Sequence, residues 1–228
     1  MTQAEKTIYQ ISTINNLTKK QFTGLVNLSS LRNFGDFGIG TLEGMDGELI
    51  LFDNCFYKAN QNLIVHQPEL TEQSPFFTLT KFNPSSNLIY QVENETDFFQ
   101  SIRSVYPHQD LMAIKAEGEF ERLFIRSGEK KHPPYPSLKN ILKTTVKKEF
   151  EKIEGTLVGF FFPNSFNGIV QEGFHFHFIS GNHKIAGHLL EFTKAKLETT
   201  IDTKENLTIL NPSQKPKPHG NKTSKGNS

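Results

Sequence analysis

The clearest alternation of apolar and polar residues in the chain runs from Phe174 to Phe178. Phenylalanine and histidine alternate there without a break, so a β-strand would place the phenylalanines on one face. His175 and His177 would then emerge side by side on the other face. The pattern therefore predicts a strand with one apolar face and one imidazole face.

A tight turn and a returning strand follow this segment. Ser180-Gly-Asn182 supplies turn-forming residues, and the apolar run Ile185–Phe192 predicts the second strand of a hairpin. With the turn centred near Asn182, His188 lies opposite His177 on the same face. We therefore expect three imidazoles to converge.

Three converging histidines indicate a metal site. Neutral imidazole nitrogens without a thiolate suit zinc or another borderline divalent cation. Three protein ligands also leave coordination positions free, which is typical of a catalytic rather than a structural site. His175, His177 and His188 are the candidate ligands, and zinc is the expected cofactor.

The rest of the pattern predicts short strands and few helices. Thr96–Arg103 is typical of a short capped helix, and Ala113–Arg126 predicts a hairpin of two strands. Apolar residues at helical spacing from Leu138 to Ile153 predict a helix that ends at Gly155. Further strands are predicted within residues 45–53, 55–58, 63–66, 76–82, 85–92, 156–162, 198–201 and 207–210.

This order of elements indicates an α/β protein of the α+β type. The prolines within Lys130–Pro136 interrupt the pattern and form the best candidate hinge. We therefore predict a mixed-sheet N-terminal domain at residues 1–130 and a smaller, β-rich domain with the metal site at residues 131–210. Residues 211–228 hold almost nothing apolar, which predicts a disordered tail.

Composition narrows the class of protein. The 228 residues are 21% charged with a net charge of +1, which does not favour a nucleic-acid or membrane surface. A single cysteine, Cys55, excludes an internal disulfide framework and a cysteine-based zinc site. The first residues lack the features of a signal peptide, and no apolar run is long enough to span a membrane. We expect a cytoplasmic protein with neither a membrane nor a nucleic-acid partner.

Three other features are less specific. The glycines of Phe34–Thr41 lack the lysine and the spacing of a phosphate loop, so a bulged strand near another backbone is favoured. Glu48 stands at a strand entrance and Arg126 at a strand end. Taken alone, these two residues would be ordinary surface charges.

Four blocks of sequence stand out together: Gly35–Leu42; Asp46–Leu49; Arg126 with Pro134–Leu138; and Gly155–Gly159 through Gly173–Phe178 to Gly187–His188. In this order and with similar separations, they resemble the acetolactate decarboxylase family. The resemblance covers about residues 7 to 192. Its most specific feature is the His-x-His pair with a third histidine eleven residues later, preceded by an arginine block.

The resemblance implies zinc-dependent decarboxylation of 2-acetolactate, a 2-hydroxy-3-keto acid, to acetoin, without an organic cofactor. It also implies a two-part α/β protein that assembles as a homodimer. His175, His177 and His188 match the family's zinc ligands. Glu48 matches an active-site carboxylate, and Arg126 matches the arginine near the substrate.

The implied chemistry suits these residue types. Loss of carbon dioxide leaves an electron pair that enters the neighbouring ketone and gives an enediolate, which zinc stabilises as a Lewis acid. Arg126 would pair with the substrate carboxylate through its bidentate guanidinium. Glu48 would deliver the proton to one face of the enediolate.

Two departures from the family pattern concern the site. Lys131 stands where the family has a glutamine. The family also brings a second glutamate to the metal from a long C-terminal segment, whereas this sequence has no acidic residue after Glu205. Water, Glu198 or Glu205 would then fill that coordination position, or the chain would be a weakened relative.

Two other functions stay open at this point. His-x-His hairpins with a distant histidine and glutamate also resemble cupin-type sites, which would make the chain a metal-dependent oxygenase or isomerase. The second alternative is an inactive relative that still binds metal. Iron with oxygen consumption would favour the first, and retained metal without turnover would favour the second.

Overall fold

Two β-sheets form the body of the protein. The structure is a computed structural model that describes residues 2–108 and 111–211. Its strands, in chain order, are β1 (Thr7–Ile11), β2 (Val26–Asn27), β3 (Phe37–Leu42), β4 (Asp46–Phe52), β5 (Cys55–Ala59), β6 (Val65–His66), β7 (Gln73–Ser74), β8 (Phe76–Thr80), β9 (Ser86–Asn94), β10 (Leu111–Ser127), β11 (Val146–Phe162), β12 (Gly173–Ser180), β13 (Ala186–Lys204) and β14 (Asn206–Leu210).

The helices are short and connect the strands. Asn94 accepts a hydrogen bond from the backbone N–H of Asp97 and so caps α3, which confirms the predicted capped helix in this region. The α-helices are α1 (Ile14–Thr18), α2 (Leu28–Leu31), α3 (Glu95–Val105) and α4 (Leu138–Lys143), and single 3-10 turns span Ala4–Lys6 and Asn164–Phe166.

The larger sheet has seven strands in the order β14-β1-β8-β3-β4-β5-β6. All neighbouring strands are antiparallel except β1 and β14, which run parallel. The sheet is therefore mixed, as predicted. Because β14 lies beside β1, residues from both ends of the described chain share this sheet.

The smaller sheet has five strands in the order β10-β11-β12-β13-β9. β10 also pairs with β13, which closes four of the strands on themselves. Phe98 and Ile102 of α3 pack inside this closed sheet, against the phenylalanines of β12. The apolar face predicted for the histidine strand therefore points into this core.

A second core lies between the two sheets. Ile50 and Phe52 of β4 share one buried cluster with Val158 of β11, Ile179 of β12 and Ala186 of β13. Buried apolar area of this kind contributes about 25 cal/mol per Å² to stability. The imidazole face of β12 points towards this interface, because His177 and Ile179 are two residues apart and therefore lie on the same face of the strand.

The prediction of one helix from Leu138 to Gly155 is correct only for its first six residues, Leu138–Lys143. α4 ends at Lys143, where the hydroxyls of Thr144 and Thr145 donate to the carbonyls of Ile141 and Leu142. The chain then enters β11, which pairs with β10 along nearly its whole length. Long-range backbone pairing overrides the helical spacing of the apolar side chains.

The hairpin predicted within Ala113–Arg126 is also wrong, because these residues belong to one continuous strand, β10. Both of its edges are occupied, one by β11 and the other by β13. Gly118, the one turn-forming residue in the segment, lies where the backbone carbonyl of Lys196 on the paired strand β13 comes very close. The predicted strand at 198–201 is likewise a continuation of the returning strand β13.

The predicted fold class, α/β of the α+β type with a three-histidine cluster in the C-terminal part, is confirmed. The domain division at residue 130 and the hinge stay predictions; β9 and β10 precede residue 130 and lie in the five-stranded sheet. The predicted tail, apart from Asn211, lies outside the described residues. Within 2–108 and 111–211, no helix is long and apolar enough to cross a membrane.

Candidate metal centre and active site

The histidine hairpin forms as predicted, with His177 of β12 directly opposite His188 of β13. His175 precedes His177 by two residues and therefore lies on the same face. The three ring centroids are 4.9–5.4 Å apart, and one nitrogen of each ring lies within 4.8 Å of the others. Nε2 of His175 is 3.3 Å from Nδ1 of His188. Two nitrogens bound to one tetrahedral zinc stand roughly 3.4 Å apart, so this spacing fits such an ion.

The hydrogen bonding of His177 determines which of its nitrogens can bind a metal ion. Its Nδ1 lies 3.1 Å from the carbonyl oxygen of Leu49. Because a carbonyl only accepts, Nδ1 carries the proton and Nε2 keeps its lone pair. A backbone carbonyl that orients a histidine in this way is typical of metal ligands.

Burial keeps the cluster neutral. Desolvation lowers the pKa of His175 to about 4, and nearby Arg126 adds to the effect. Desolvation and then the neighbouring histidines hold the pKa of His177 and His188 well below the usual range. Neutral imidazole is the form that binds a cation, so the donor set fits a divalent metal at neutral pH.

Glu48 reaches the cluster from the larger sheet. It lies on β4 on the same face as Ile50 and Phe52, and its Oε2 is 3.2 Å from Nε2 of His177. Burial raises the pKa of Glu48 to about 8, although Arg126 opposes the shift. Glu48 therefore holds a proton at neutral pH beside the histidines.

Strand register places Arg126 in the same row as two of the histidines. Arg126 of β10 pairs with His188 of β13, which pairs with His177 of β12. The register of β10 and β13 shifts just beyond this row, so Leu190 is an extra residue on β13. Bulges of this type occur next to active sites, where they redirect side chains.

The guanidinium of Arg126 has no anionic partner among the residues that the structure describes. None of the ion pairs in that part of the chain includes Arg126. Its Nε is buried and donates to no described group. A guanidinium held in this way suits the carboxylate of a ligand.

A cavity of about 100 Å³ connects these groups. Pockets for drug-sized ligands hold roughly 300–1,000 Å³, so this cavity suits a small molecule. Its polar lining includes Glu48, Arg126 and the three histidines. Its apolar side is formed by Ile14, Leu17, Met45, Phe76, Leu138 and Leu142, of which all but Leu142 pack in one apolar cluster.

Several lining residues were not singled out from the sequence. Met45 and Gln171 line the cavity, and Leu138 and Leu142 were assigned only to the face of a helix. Met45 stands three residues before Glu48, and Gln171 four residues before His175. Closeness in the chain to a candidate site residue was the available signal for both.

The residues at which the sequence departs from the family pattern do not line this cavity. The Lys131 ammonium is 3.2 Å from the Glu129 carboxylate, and its backbone N–H donates to the carbonyl of Gly44. Glu198 accepts from the side-chain amide of Asn87, and Glu205 pairs with Lys6. Glu198 is ten residues beyond His188 on the same strand, about 33 Å at 3.3 Å per residue, so it does not replace the family's second glutamate in this structure.

Comparison with known proteins identifies the family of this chain. A family model described as alpha-acetolactate decarboxylase matches residues 8–218. The chain belongs to the alpha-acetolactate decarboxylase family. The resemblance inferred from the sequence is thereby confirmed.

Individual relatives cover most of the chain. The alpha-acetolactate decarboxylase of Bacillus subtilis strain 168 is 34% identical over 207 residues, which are 90% of this chain and 81% of the relative. The family member from Methanosarcina mazei is 31% identical over 201 residues, which are 87% of this chain and 70% of the relative. The match therefore includes both sheets.

Solved structures match at the level of the fold. The crystal structure of the Bacillus subtilis enzyme superposes with a TM-score of 0.88 at 32% identity, covering 91% of this chain and 90% of the other. A Staphylococcus aureus protein of unknown function, described as similar to alpha-acetolactate decarboxylase, gives a TM-score of 0.86 at 28% identity, covering 90% and 89%. The two-sheet architecture is thus the architecture of the family.

Proposed function

We propose that this protein is a zinc-dependent acetolactate decarboxylase that converts 2-acetolactate to acetoin and carbon dioxide. The observation that carries the proposal is one small cavity where three neutral histidines, Glu48 and Arg126 meet, with no anionic partner for Arg126 among the described residues. Membership of the family supplies the reaction.

The metal would be held by His175, His177 and His188. Their donor set is three imidazoles without a thiolate, which suits zinc and leaves coordination positions for a substrate. When bound, the ion supplies Lewis-acid stabilisation to the oxygens of the ketone and hydroxyl groups. The carbonyl of Leu49 keeps the His177 ring in the orientation and tautomer that this role needs.

Arg126 binds the substrate carboxylate. Two parallel N–H donors hold a carboxylate in a defined plane, and this orientation sets the direction of the bond that breaks. The bond from the carboxylate carbon to the adjacent carbon breaks, and its electron pair enters the ketone to give an enediolate. The row formed by Arg126, His188 and His177 brings the anion-binding group next to the metal-binding group.

Glu48 returns the proton. Protonation of the enediolate carbon completes acetoin, and a carboxylic acid within contact distance of the cavity is the source. Burial raises the pKa of Glu48 to about 8 in the protein without metal, which favours the protonated form. The proton lost by Glu48 is replaced from water after product release.

The assembly and the location of the protein are the remaining parts of the proposal. Homodimer formation rests on the resemblance to the family, and sedimentation of the purified chain measures it directly. The cytoplasmic location stays a prediction. A globular enzyme with a small-molecule substrate needs neither a membrane nor a nucleic acid as partner.

The experiment that tests the function is product analysis with purified protein and racemic 2-acetolactate. We expect acetoin and carbon dioxide in equal amounts. Oxygen consumption by an iron-loaded protein would instead support the cupin-like oxygenase. Metal-loaded, folded protein that forms no acetoin would support an inactive metal-binding relative.

A further inference from the structure

The apolar side of the cavity has one member with an unusual backbone. Met45 lies in the turn between β3 and β4 and has a φ of 58°, in the left-handed region. Bulky side chains rarely adopt this conformation, and it persists only where the surroundings fix it. Such residues cluster at ligand-binding sites.

Backbone contacts from two directions hold this turn in place. The N–H of Gly44 donates to the carbonyl of Phe22, and the N–H of Lys131 donates to the carbonyl of Gly44. Gly44, directly before Met45, and Gly47, two residues after it, also have positive φ values of 77° and 71°. The turn therefore presents Met45 to the cavity from a fixed position three residues before Glu48.

The contacts of Met45 place it in the wall rather than in a core. Its side chain is half-buried and packs on the edge of the cluster that contains Phe76 and Ile141. It lines the cavity together with Leu138 and Leu142 of α4. A thioether on a flexible chain fills such a gap and adjusts to a ligand.

The chemistry of the substrate assigns a role to this wall. A 2-hydroxy-2-alkyl-3-oxo acid directs its carboxylate towards Arg126 and its two other oxygens towards the histidines. Its remaining groups are alkyl, and they must enter the apolar side. The cavity at Met45 holds about 100 Å³, so little space remains for an alkyl group on this side. A second pocket of about 170 Å³ shares Arg126, His175 and His188 with this cavity, but Met45 does not line it.

We propose that Met45 is a specificity-determining residue that limits the size of the alkyl group on the tertiary carbon of the substrate. This inference rests on the proposed function. Two variants test it. Met45→Ala shortens the side chain, and Met45→Gly removes it and also adopts a positive φ without strain. Met45→Leu is the matched control, since it preserves the volume of the side chain.

The experiment compares kcat/KM for 2-acetolactate with kcat/KM for its homologues that carry an ethyl or a propyl group in place of the methyl. We expect Met45→Ala and Met45→Gly to raise the ratio of homologue to acetolactate by about 10-fold or more, as one methylene in an apolar pocket is worth about 10–200-fold. Met45→Leu should leave the ratio within about threefold, less than one methylene is worth.

An unchanged ratio in Met45→Gly and Met45→Ala, in protein that still converts acetolactate, would overturn the inference and leave the proposed function intact. An equal rise in Met45→Leu would overturn it as well. If the wild-type protein forms no acetoin, the proposed function fails, and the inference fails with it. Thermal unfolding of each variant confirms that the folded state is compared.

Discussion

Arg126 is the one site residue that carries a full charge in a neutral cluster. Burial disfavours a charge on the histidines and on Glu48, so in the protein without its metal the guanidinium makes the cavity positive, and a bound divalent cation would add to that charge. An anion is therefore the ligand that the site attracts. This follows from the position of Arg126 in the row with His188 and His177.

Replacing Arg126 tests this account of substrate binding. Arg126→Ala should raise KM by about 10- to 150-fold, because a hydrogen bond to a charged group contributes about 1.5–3 kcal/mol. The KM of Arg126→Lys should lie between those of the wild type and Arg126→Ala, since an ammonium keeps the charge but not the bidentate geometry. Steady-state kinetics with acetolactate measures both.

Arg122 provides the matched control for this experiment. It lies on the same strand, its side chain is 53% exposed, and it is 3.9 Å from Glu149. Arg122→Ala should leave KM unchanged. An unchanged KM in Arg126→Ala would rule out the carboxylate contact.

Glu48→Gln tests the proton donor. The amide has a similar shape but cannot release a proton, so kcat should fall by about 10²- to 10⁴-fold, the usual contribution of general acid catalysis. Zinc binding, measured as metal per chain after dialysis, should be retained. Full turnover in this variant would remove Glu48 as the donor. The control is Glu117→Gln on β10, where the carboxylate pairs with Lys115 and the side chain is 45% exposed.

The sequence predicted the histidine cluster correctly because the necessary contact is local. His177 and His188 are eleven residues apart, and one turn of suitable composition determines their register. The positions of Glu48 and Arg126 depend on strands that pair or pack over long separations in the chain. For these residues, only the resemblance to the family supplied a prediction.

At the scale of elements, the two longest strand pairings explain where prediction failed. β11 begins in a segment whose apolar residues have helical spacing, yet β10 offers it a complete row of backbone donors and acceptors. Pairing satisfies these groups on both strands, which a helix at residues 146–155 would leave open on β10. Local patterns hold no information about such a partner.

A substitution at Gly118 tests the close approach of the paired strands β10 and β13. A Cβ at this position would meet the backbone carbonyl of Lys196, so one of the strands must move. Gly118→Ala should lower the free energy of unfolding by about 1–3 kcal/mol, the usual cost of overpacking. Urea denaturation measures this change.

Gly181 is the matched position for the same substitution. It is exposed at the tip of the histidine hairpin, where the nearest heavy atom to an added Cβ is the Glu154 carbonyl oxygen at 3.9 Å. Gly181→Ala should change stability by no more than about 0.5 kcal/mol. Equal losses of stability in Gly118→Ala and Gly181→Ala would contradict the close approach of β10 and β13.

At the scale of the whole molecule, a buried lysine joins segments that are far apart in the chain. The Lys204 ammonium is fully buried and contacts the carbonyls of Glu5 and Lys81 and the carboxylate of Asp202. All three of its donors are therefore satisfied. These contacts connect the end of β13 with the turn before β1 and the segment after β8, and so connect the two sheets.

Lys204→Met should destabilise the protein by about 3–5 kcal/mol, because it leaves a buried carboxylate without its partner. Asp202→Asn should cost less, because the asparagine oxygen can still accept from Lys204 and the carbonyls of Glu5 and Lys81 keep their bonds to it. Burial also raises the pKa of the Asp202 carboxyl, although Lys204 opposes the shift. Thermal unfolding compares the two variants, and a larger loss in Asp202→Asn would contradict this explanation.

The central claim is that the three-histidine cluster holds the zinc on which decarboxylation depends. The direct measurement is acetoin formation by chelator-treated protein as zinc is added back in known amounts. We predict that activity is lost on chelation, returns in proportion to added zinc and saturates at one zinc per chain. His188→Ala protein should bind less zinc under the same conditions. Acetoin formation that continues undiminished in metal-free protein would contradict the account.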